Sequence, residues 1–315
     1  MEESLRVAVV TGANKGIGFA VVKALAQQFD GIVYLTARNE SLGLTSLEQA
    51  KKEVPSASER LQYHQLDISD HASIVRLRDH LKKQYGGLDI LVNNAAIAYT
   101  RDSTVPMAEQ AEKTLAINYY GTRQVCDLLF PLLKPHARVV NVASRVGNLA
   151  KFSAELKEQL LSPKLTTSQL DTIMRKFQDL AMEDKHVEGG FPHSAYGVSK
   201  VGVIALSRIQ ARQMAADERE DIVVNSMCPG FVDTDMTRHK GILSPTQGAD
   251  TVLYLALLPP NATDAPRGEF VADRGVIDWQ HFSVKPTLYL VSYYLYSYVR
   301  NSMAALLNRL NPFGG

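Results

Sequence analysis

Short runs of valine, isoleucine and leucine, separated by stretches long enough for a helix, set the first limit on how this chain folds. Seven such runs lie at 5–11, 32–37, 62–66, 89–93, 138–143, 222–227 and 269–272. They show little polar alternation, as expected for strands buried on both faces of a parallel sheet. The intervals, for example 18–29 and 73–85, are of helical length. Strand–helix–strand repetition predicts an α/β fold: a doubly wound parallel sheet of seven strands, the Rossmann fold, with ligands at the carboxyl ends of the strands. One domain over residues 1–280 follows, without an internal repeat.

Composition narrows the class. With 45% hydrophobic residues the chain can bury a sizeable core. Lys and Arg (34) nearly match Asp and Glu (33), so there is no basic excess and nucleic acid is not an expected partner. The two cysteines, Cys126 and Cys228, are far apart and form no CxxC pair, which favours a reducing, cytoplasmic compartment. Met1-Glu2-Glu3-Ser4 runs straight into the first apolar segment and lacks the basic and apolar regions of a secretory signal. The eight histidines show no paired metal spacing, so no metal is expected.

The first strand leads into Thr11-Gly12-Ala13-Asn14-Lys15-Gly16-Ile17-Gly18, which opens the first helix. In such a loop Gly12 allows the tight turn, Gly16 a close approach to a pyrophosphate, and Gly18 close packing of helix on sheet. The free N–H groups and positive dipole end of the helix then face the phosphates. An NAD enzyme places an acid just after the second strand. Here that stretch reads Ala37-Arg38-Asn39, and Lys15 lies inside the glycine loop. Two cations suit a 2′-phosphate, so NADPH is the expected cofactor.

Ser194-Ala195-Tyr196-Gly197-Val198-Ser199-Lys200 sets Tyr196 and Lys200 one helical turn apart on one face. A phenol of pKa near ~10 is a poor acid–base catalyst at neutral pH, and a neighbouring ammonium stabilises its phenolate. Ser144 follows the fifth strand at its carboxyl edge, and Asn118 lies in the predicted helix before that strand. Asn93-Asn94-Ala95 ends the fourth strand. Cys228-Pro229-Gly230 ends the sixth, placing Val232 and Thr234 to meet a nicotinamide carboxamide.

These motifs together resemble the short-chain dehydrogenase/reductase superfamily from Arg6 to about Trp279, and within it the monomeric carbonyl reductases. The narrower likeness rests on residues 12–18, 35–38, 85–89, 194–197 and 254–260, and on the 52 positions that separate Ser144 from Tyr196. The resemblance implies hydride transfer from the B face (4-pro-S) of NADPH to the carbonyl of an aldehyde, ketone or quinone. Tyr196 would donate the proton and Ser144 would hold the substrate oxygen. Lys200 would lower the Tyr196 pKa and bind the nicotinamide ribose, and Asn118 would hold a relay water. Asp67 and Ile68 would hold the adenine and Asn94 the nicotinamide-side ribose. Three positions depart from the pattern: Ala96 replaces glycine, Phe231 replaces a tryptophan of the substrate lid, and Arg145 replaces an apolar neighbour of the serine. Two alternatives to the general reductase stand: a dedicated ketosteroid, prostaglandin or retinoid reductase, and a catalytically silent NADPH sensor.

Two segments exceed the strand–helix rhythm. Within 151–190, Leu170, Ile173, Met174, Phe177, Leu180 and Ala181 form an amphipathic stripe, with Ser168 and Asp171 as its capping box. By resemblance this inserted helix covers the face that other members use to oligomerise, which implies a monomer. The extension 281–315 has, from Lys285 on, no acid, three cations and five tyrosines. Packing on the domain or a partner subunit, contact with a membrane surface, and a loose tail are all open to it. His193 reads as a loop histidine or a pocket wall, and Cys228 as a plain buried thiol or as one near enough to the nicotinamide to react with electrophiles.

Overall fold

In the computed structural model, which describes residues 5–100 and 102–282, the seven apolar runs become strands. They are β1 (Val7–Val10), β2 (Ile32–Ala37), β3 (Leu61–Gln65), β4 (Leu88–Asn93), β5 (Leu133–Val142), β6 (Val223–Cys228) and β7 (Phe270–Ala272). All seven are parallel, in the order β3-β2-β1-β4-β5-β6-β7. The sheet has eight strands rather than the expected seven. Asp273 and Arg274 both take positive φ (51° and 60°), and this two-residue turn folds β8 (Gly275–Val276) back antiparallel on β7.

Helices α1 (Gly16–Gln28), α2 (Glu40–Glu53), α3 (His71–Tyr85), α4 (Met107–Leu115), α5 (Thr122–Leu129), α6 (Ala154–Leu161), α7 (Thr167–Met182), α8 (Ala195–Ala215) and α9 (Pro245–Ala256) cover the sheet. The strand period of two divides its side chains between the layers. Ala8 and Val10 enter one core with α1, α2 and α9, whereas Val7 and Val9 enter another with α3 and α5. A third core joins α4, α6, α7 and α8.

The insertion contains two helices, α6 and α7, where one was expected. Leu170, Ile173, Met174, Phe177 and Ala181 are buried as the stripe predicts, and Leu180 is half-buried. The cap differs from expectation. Thr166 and Gln169 make the capping box, satisfying the same spacing rule two residues earlier. Ser168 is inside the helix, and Asp171 is buried and bonded elsewhere. Near the C-terminus, Trp279 is buried and its indole N–H donates to the Gly147 carbonyl at 2.7 Å, so the domain continues to the edge of the described residues. The amphipathic extension lies, from 283 on, outside those residues.

The end of the sheet away from the ligand edge is held by charge. Arg138 donates to the carbonyls of Leu258, Pro259 and Asp221 and to the Asp221 carboxylate at 2.8 Å, with both side chains 3% exposed. Burial alone would raise the Asp221 carboxyl. The Asn261 N–H, the Arg267 and Arg138 guanidiniums and His136 together hold it well below the ordinary carboxylate range. Removing one member of a buried pair leaves the other uncompensated, so Asp221→Ala should cost roughly 3–5 kcal/mol of stability. The urea midpoint reads this directly; an unchanged midpoint would show that the pair contributes nothing.

Candidate active site

Three of the four predicted catalytic side chains meet at the carboxyl edge of β5. Ser194 caps α8 by accepting from Gly197 N–H at 3.0 Å, which starts the helix one residue before Tyr196. Lys200 follows one turn later. Its ammonium donates to the Val142 carbonyl at 2.7 Å and lies 5.6 Å from the centre of the Tyr196 ring. The Ser144 hydroxyl faces the Tyr196 phenol closely enough to favour its ionised form. Burial pushes the phenol of Tyr196 up, Cys228 adds to this, and the Ser144 hydroxyl opposes it. Burial also lowers Lys200 to about 8, with Cys228 opposing. Taken alone, these groups keep Tyr196 protonated, the state of a proton donor. The Cys228 thiol is itself pushed up by burial, against the N–H groups of Gly230 and Arg145, which fits an unreactive buried thiol.

Asn118 reaches this cluster indirectly. It lies in a π-helical turn, Ala116–Gly121, between α4 and α5 rather than in a regular helix. Its Oδ1 accepts from Ile97 N–H at 2.8 Å, and its amide donates to the Ile97 carbonyl at 2.9 Å and to Ser199 Oγ at 3.1 Å. Ser199 Oγ in turn donates to the Tyr196 carbonyl at 2.8 Å. The Asn118 side chain is therefore engaged in holding the loop after β4 against α8.

The glycine loop lies beside the cluster. Gly12 has φ 61°, and a Cβ there would stand 2.8 Å from Ala95 Cα. At Gly18 a Cβ would stand 2.5 Å from the Asn94 amide nitrogen and 2.9 Å from the Gly12 carbonyl. Both close approaches come from Asn94–Ala95, just past β4. The Asn94 amide donates to the carbonyls of Thr11 and Gly12 at 2.9 and 3.0 Å, clasping the loop. Asn14 accepts from Ser46 Oγ at 2.8 Å, and Ile17 packs against the core. Lys15, in extended conformation, begins α1 without any side-chain cap, and the first turn carries no acid. An uncapped helix start behind such a loop fits an anion, and thus the pyrophosphate of a dinucleotide.

The remaining predicted positions ring the same edge. Arg38, after β2, is exposed, and no carboxylate among the described residues pairs with it. Lys15 lies 2.5 Å from Asp235, both exposed. Ile68 is buried, and the Asp67 carboxylate accepts from the backbone N–H and hydroxyl of Ser69. After β6, Pro229 and Gly230 (φ 82°) lead to buried Val232 and to Thr234, whose methyl faces Gly16. This one segment thus runs from Cys228, beside Tyr196 and Lys200, to the glycine loop. Phe231 is 38% exposed and contributes no hydrogen bond or ring contact to the cluster.

The sequence profile described as short chain dehydrogenase matches residues 6–155 and 186–242. The chain belongs to the short-chain dehydrogenase family. The break in the match, 156–185, falls on most of the helical insertion. The chain is 47% identical over 282 residues to carbonyl reductase [NADPH] 1 of Bos taurus, covering 89% of this chain and 100% of that protein. The human protein of the same name is 46% identical over the same shares. Salutaridine reductase from Papaver somniferum superposes with a TM-score of 0.75 at 33% identity, over 85% of this chain and 99% of that one. Menthone neomenthol reductase from Mentha piperita gives 0.72 at 30%, over 86% and 99%.

Within this short-chain dehydrogenase, several contacts near the site escape any reading of the sequence. Arg145, beside Ser144, bonds Asp273 at 2.9 Å and lies 6.0 Å from the Phe282 ring, so it ties the loop after β5 to the segment that follows β7. His193 is neither free in its loop nor a wall by itself: its Nδ1 lies 2.8 Å from Nε2 of buried His186, with the rings stacked. Tyr119, next to Asn118, donates to Asp171 of α7. Each pairing except the histidines spans 52 or more residues, and no local pattern announces it.

Proposed function

We propose that this short-chain dehydrogenase reduces the carbonyl group of aldehydes, ketones or quinones to the alcohol, with NADPH as cofactor. The buried Lys200 ammonium beside the Tyr196 ring, with the Ser144 hydroxyl facing the same phenol at the strand edge, carries the reading. The names of the curated relatives support both the cofactor and the substrate class. NADPH, when bound, supplies the hydride that adds to the carbonyl carbon. The chain's own residues do the rest. The hydroxyls of Ser144 and Tyr196 bracket the carbonyl oxygen, and Tyr196 gives that oxygen its proton as negative charge develops. The ammonium of Lys200 stabilises the phenolate left behind, since an adjacent cation favours the charged form. The backbone of the glycine loop and the start of α1 hold the pyrophosphate. Arg38, with Lys15 across the loop, takes the 2′-phosphate, while Asp67, Ile68, Asn94, Pro229, Gly230, Val232 and Thr234 line the rest of the cofactor. Phe231 sits at the rim of the substrate pocket.

A reductase dedicated to one lipid carbonyl class shares this machinery; activity confined to that class across a panel of carbonyls would identify it. The filled Ser–Tyr–Lys set argues against a silent sensor. We read the protein as a cytoplasmic monomer, because α7 covers α4 and α8 with its own apolar face and both cysteines are free and buried.

Tyr196→Phe should lower the rate of quinone reduction by roughly 10²–10⁴-fold, the scale of a lost general acid, with NADPH binding retained. A variant as fast as the parent would remove Tyr196 from its role. Arg38→Asp should weaken NADPH far more than NADH in fluorescence titration, because charge-assisted bonds reach only the phosphorylated ribose; an equal loss for both would clear Arg38 of that contact. For the extension, we propose contact with a membrane interface through its basic, tyrosine-rich apolar stripe. Full-length protein should then co-sediment with anionic liposomes while a form ending at Phe282 stays in the supernatant, and equal partitioning would dismiss the contact.

A further inference from the structure

The inserted helix α7 reaches the site at a single buried carboxylate. Asp171, 8% exposed, accepts the phenolic hydrogen of Tyr119 on Oδ1 at 2.8 Å and pairs through Oδ2 with the guanidinium of Arg123. Tyr119 lies in the π-helical turn and Arg123 in the first turn of α5, four residues on, so the carboxylate grips both sides of the junction. Burial, reinforced by Asp171, pushes the Tyr119 phenol up, so it remains a hydrogen-bond donor across the working pH range. The fully buried Tyr119 ring lies against α8 at Gly202, two residues past Lys200. A Cβ at Gly202 would stand 2.8 Å from that ring and 3.0 Å from Met174 Sδ of α7. Tyr119 is thus enclosed by α8, α7 and its own turn.

A π-helical turn carries one residue more than the α-helix it interrupts, and such turns persist where surrounding contacts over-determine them. On one side of this turn Asn118 is bonded to Ile97 and to Ser199. On the other, Tyr119 is bonded to Asp171. If the second clasp is lost, the turn is free to shorten toward regular α-helix, which rotates Asn118 away from Ser199 and from the main chain that precedes Lys200.

We propose that Asp171 is a positioning residue for proton delivery to Tyr196: through Tyr119 it fixes the π-helical turn that holds Asn118 against the Tyr196–Lys200 helix. The insertion would then serve catalysis as well as covering a surface. The inference rests on Tyr196 being the proton donor.

The test uses the full chain with NADPH and a simple quinone, comparing Tyr119→Phe, Asp171→Ala and Asp171→Asn with the parent and with Tyr196→Phe. Tyr119→Phe removes one oxygen and spares the ring, so it reports on a folded protein even if Asp171→Ala is unstable. Tyr119→Phe and Asp171→Ala should lose kcat by roughly 10- to 100-fold, the scale of a misplaced catalytic group. Their NADPH affinity should hold, and the D2O effect on kcat should grow as proton delivery becomes limiting. Asp171→Asn, which keeps an acceptor for Tyr119, should retain most of the turnover. Variants that melt earlier but keep the parent's kcat and D2O effect would overturn the proposal, leaving Asp171 a plain anchor of α7. An active Tyr196→Phe would instead overturn the underlying reading, and the proposal with it.

Discussion

Parallel strands covered by helices on both faces send their loops to two opposite edges, and at the carboxyl edge the order of this sheet reverses between β1 and β4. Loops on either side of that point leave in opposite directions and open a crevice, and every element of the candidate site depends on it. The glycine loop after β1 is clasped by the Asn94 amide after β4, and the segment after β6 returns to set Thr234 over Gly16. The glycine loop and the Ser144, Tyr196 and Lys200 cluster are therefore set along one edge by the consecutive strands β1, β4, β5 and β6. The far edge is closed on itself by charge. Its polar groups are spent on one another, around Asp221 and Arg138.

The same architecture accounts for the charge balance at the reacting end. Burial is what depresses Lys200 and raises Tyr196, and the neighbouring Cys228 is kept neutral by the same desolvation. A buried ammonium is costly unless it is hydrogen-bonded. Here the carbonyl of Val142 accepts from it, so the last residue of β5 serves both the sheet and the site. The serine hydroxyl faces the phenol at the point where a carbonyl oxygen would be bracketed. Placing two hydroxyls there before the substrate arrives saves reorganisation as charge develops.

Around this centre the less regular parts of the chain act as braces. The π-helical turn is tied to α8 by Asn118 and to α7 by Tyr119. The loop after β5 is tied to the segment that follows β7 twice, by Trp279 on Gly147 and by Arg145 on Asp273. Arg145, which in sequence stands out as a charge beside Ser144, is thus turned toward Asp273 and Phe282.

Seven parallel strands, the glycine loop and the Tyr196–Lys200 pair were legible because each is written in adjacent residues. Apolar runs, a Gly spacing and an i, i+4 pair follow directly from the periods of strand and helix. The stripe of α7 was legible for the same reason, though its cap was misassigned, since Thr166–Gln169 and Ser168–Asp171 satisfy one rule equally and only the demand of Tyr119 and Arg123 for a buried carboxylate separates them. The antiparallel β8, the π-helical turn, the His186–His193 stack and the engagement of the Asn118 and Asn94 side chains were decided by packing. A hydrogen bond between residues brought together by the fold depends on distance in space, and local periodicity carries no record of it.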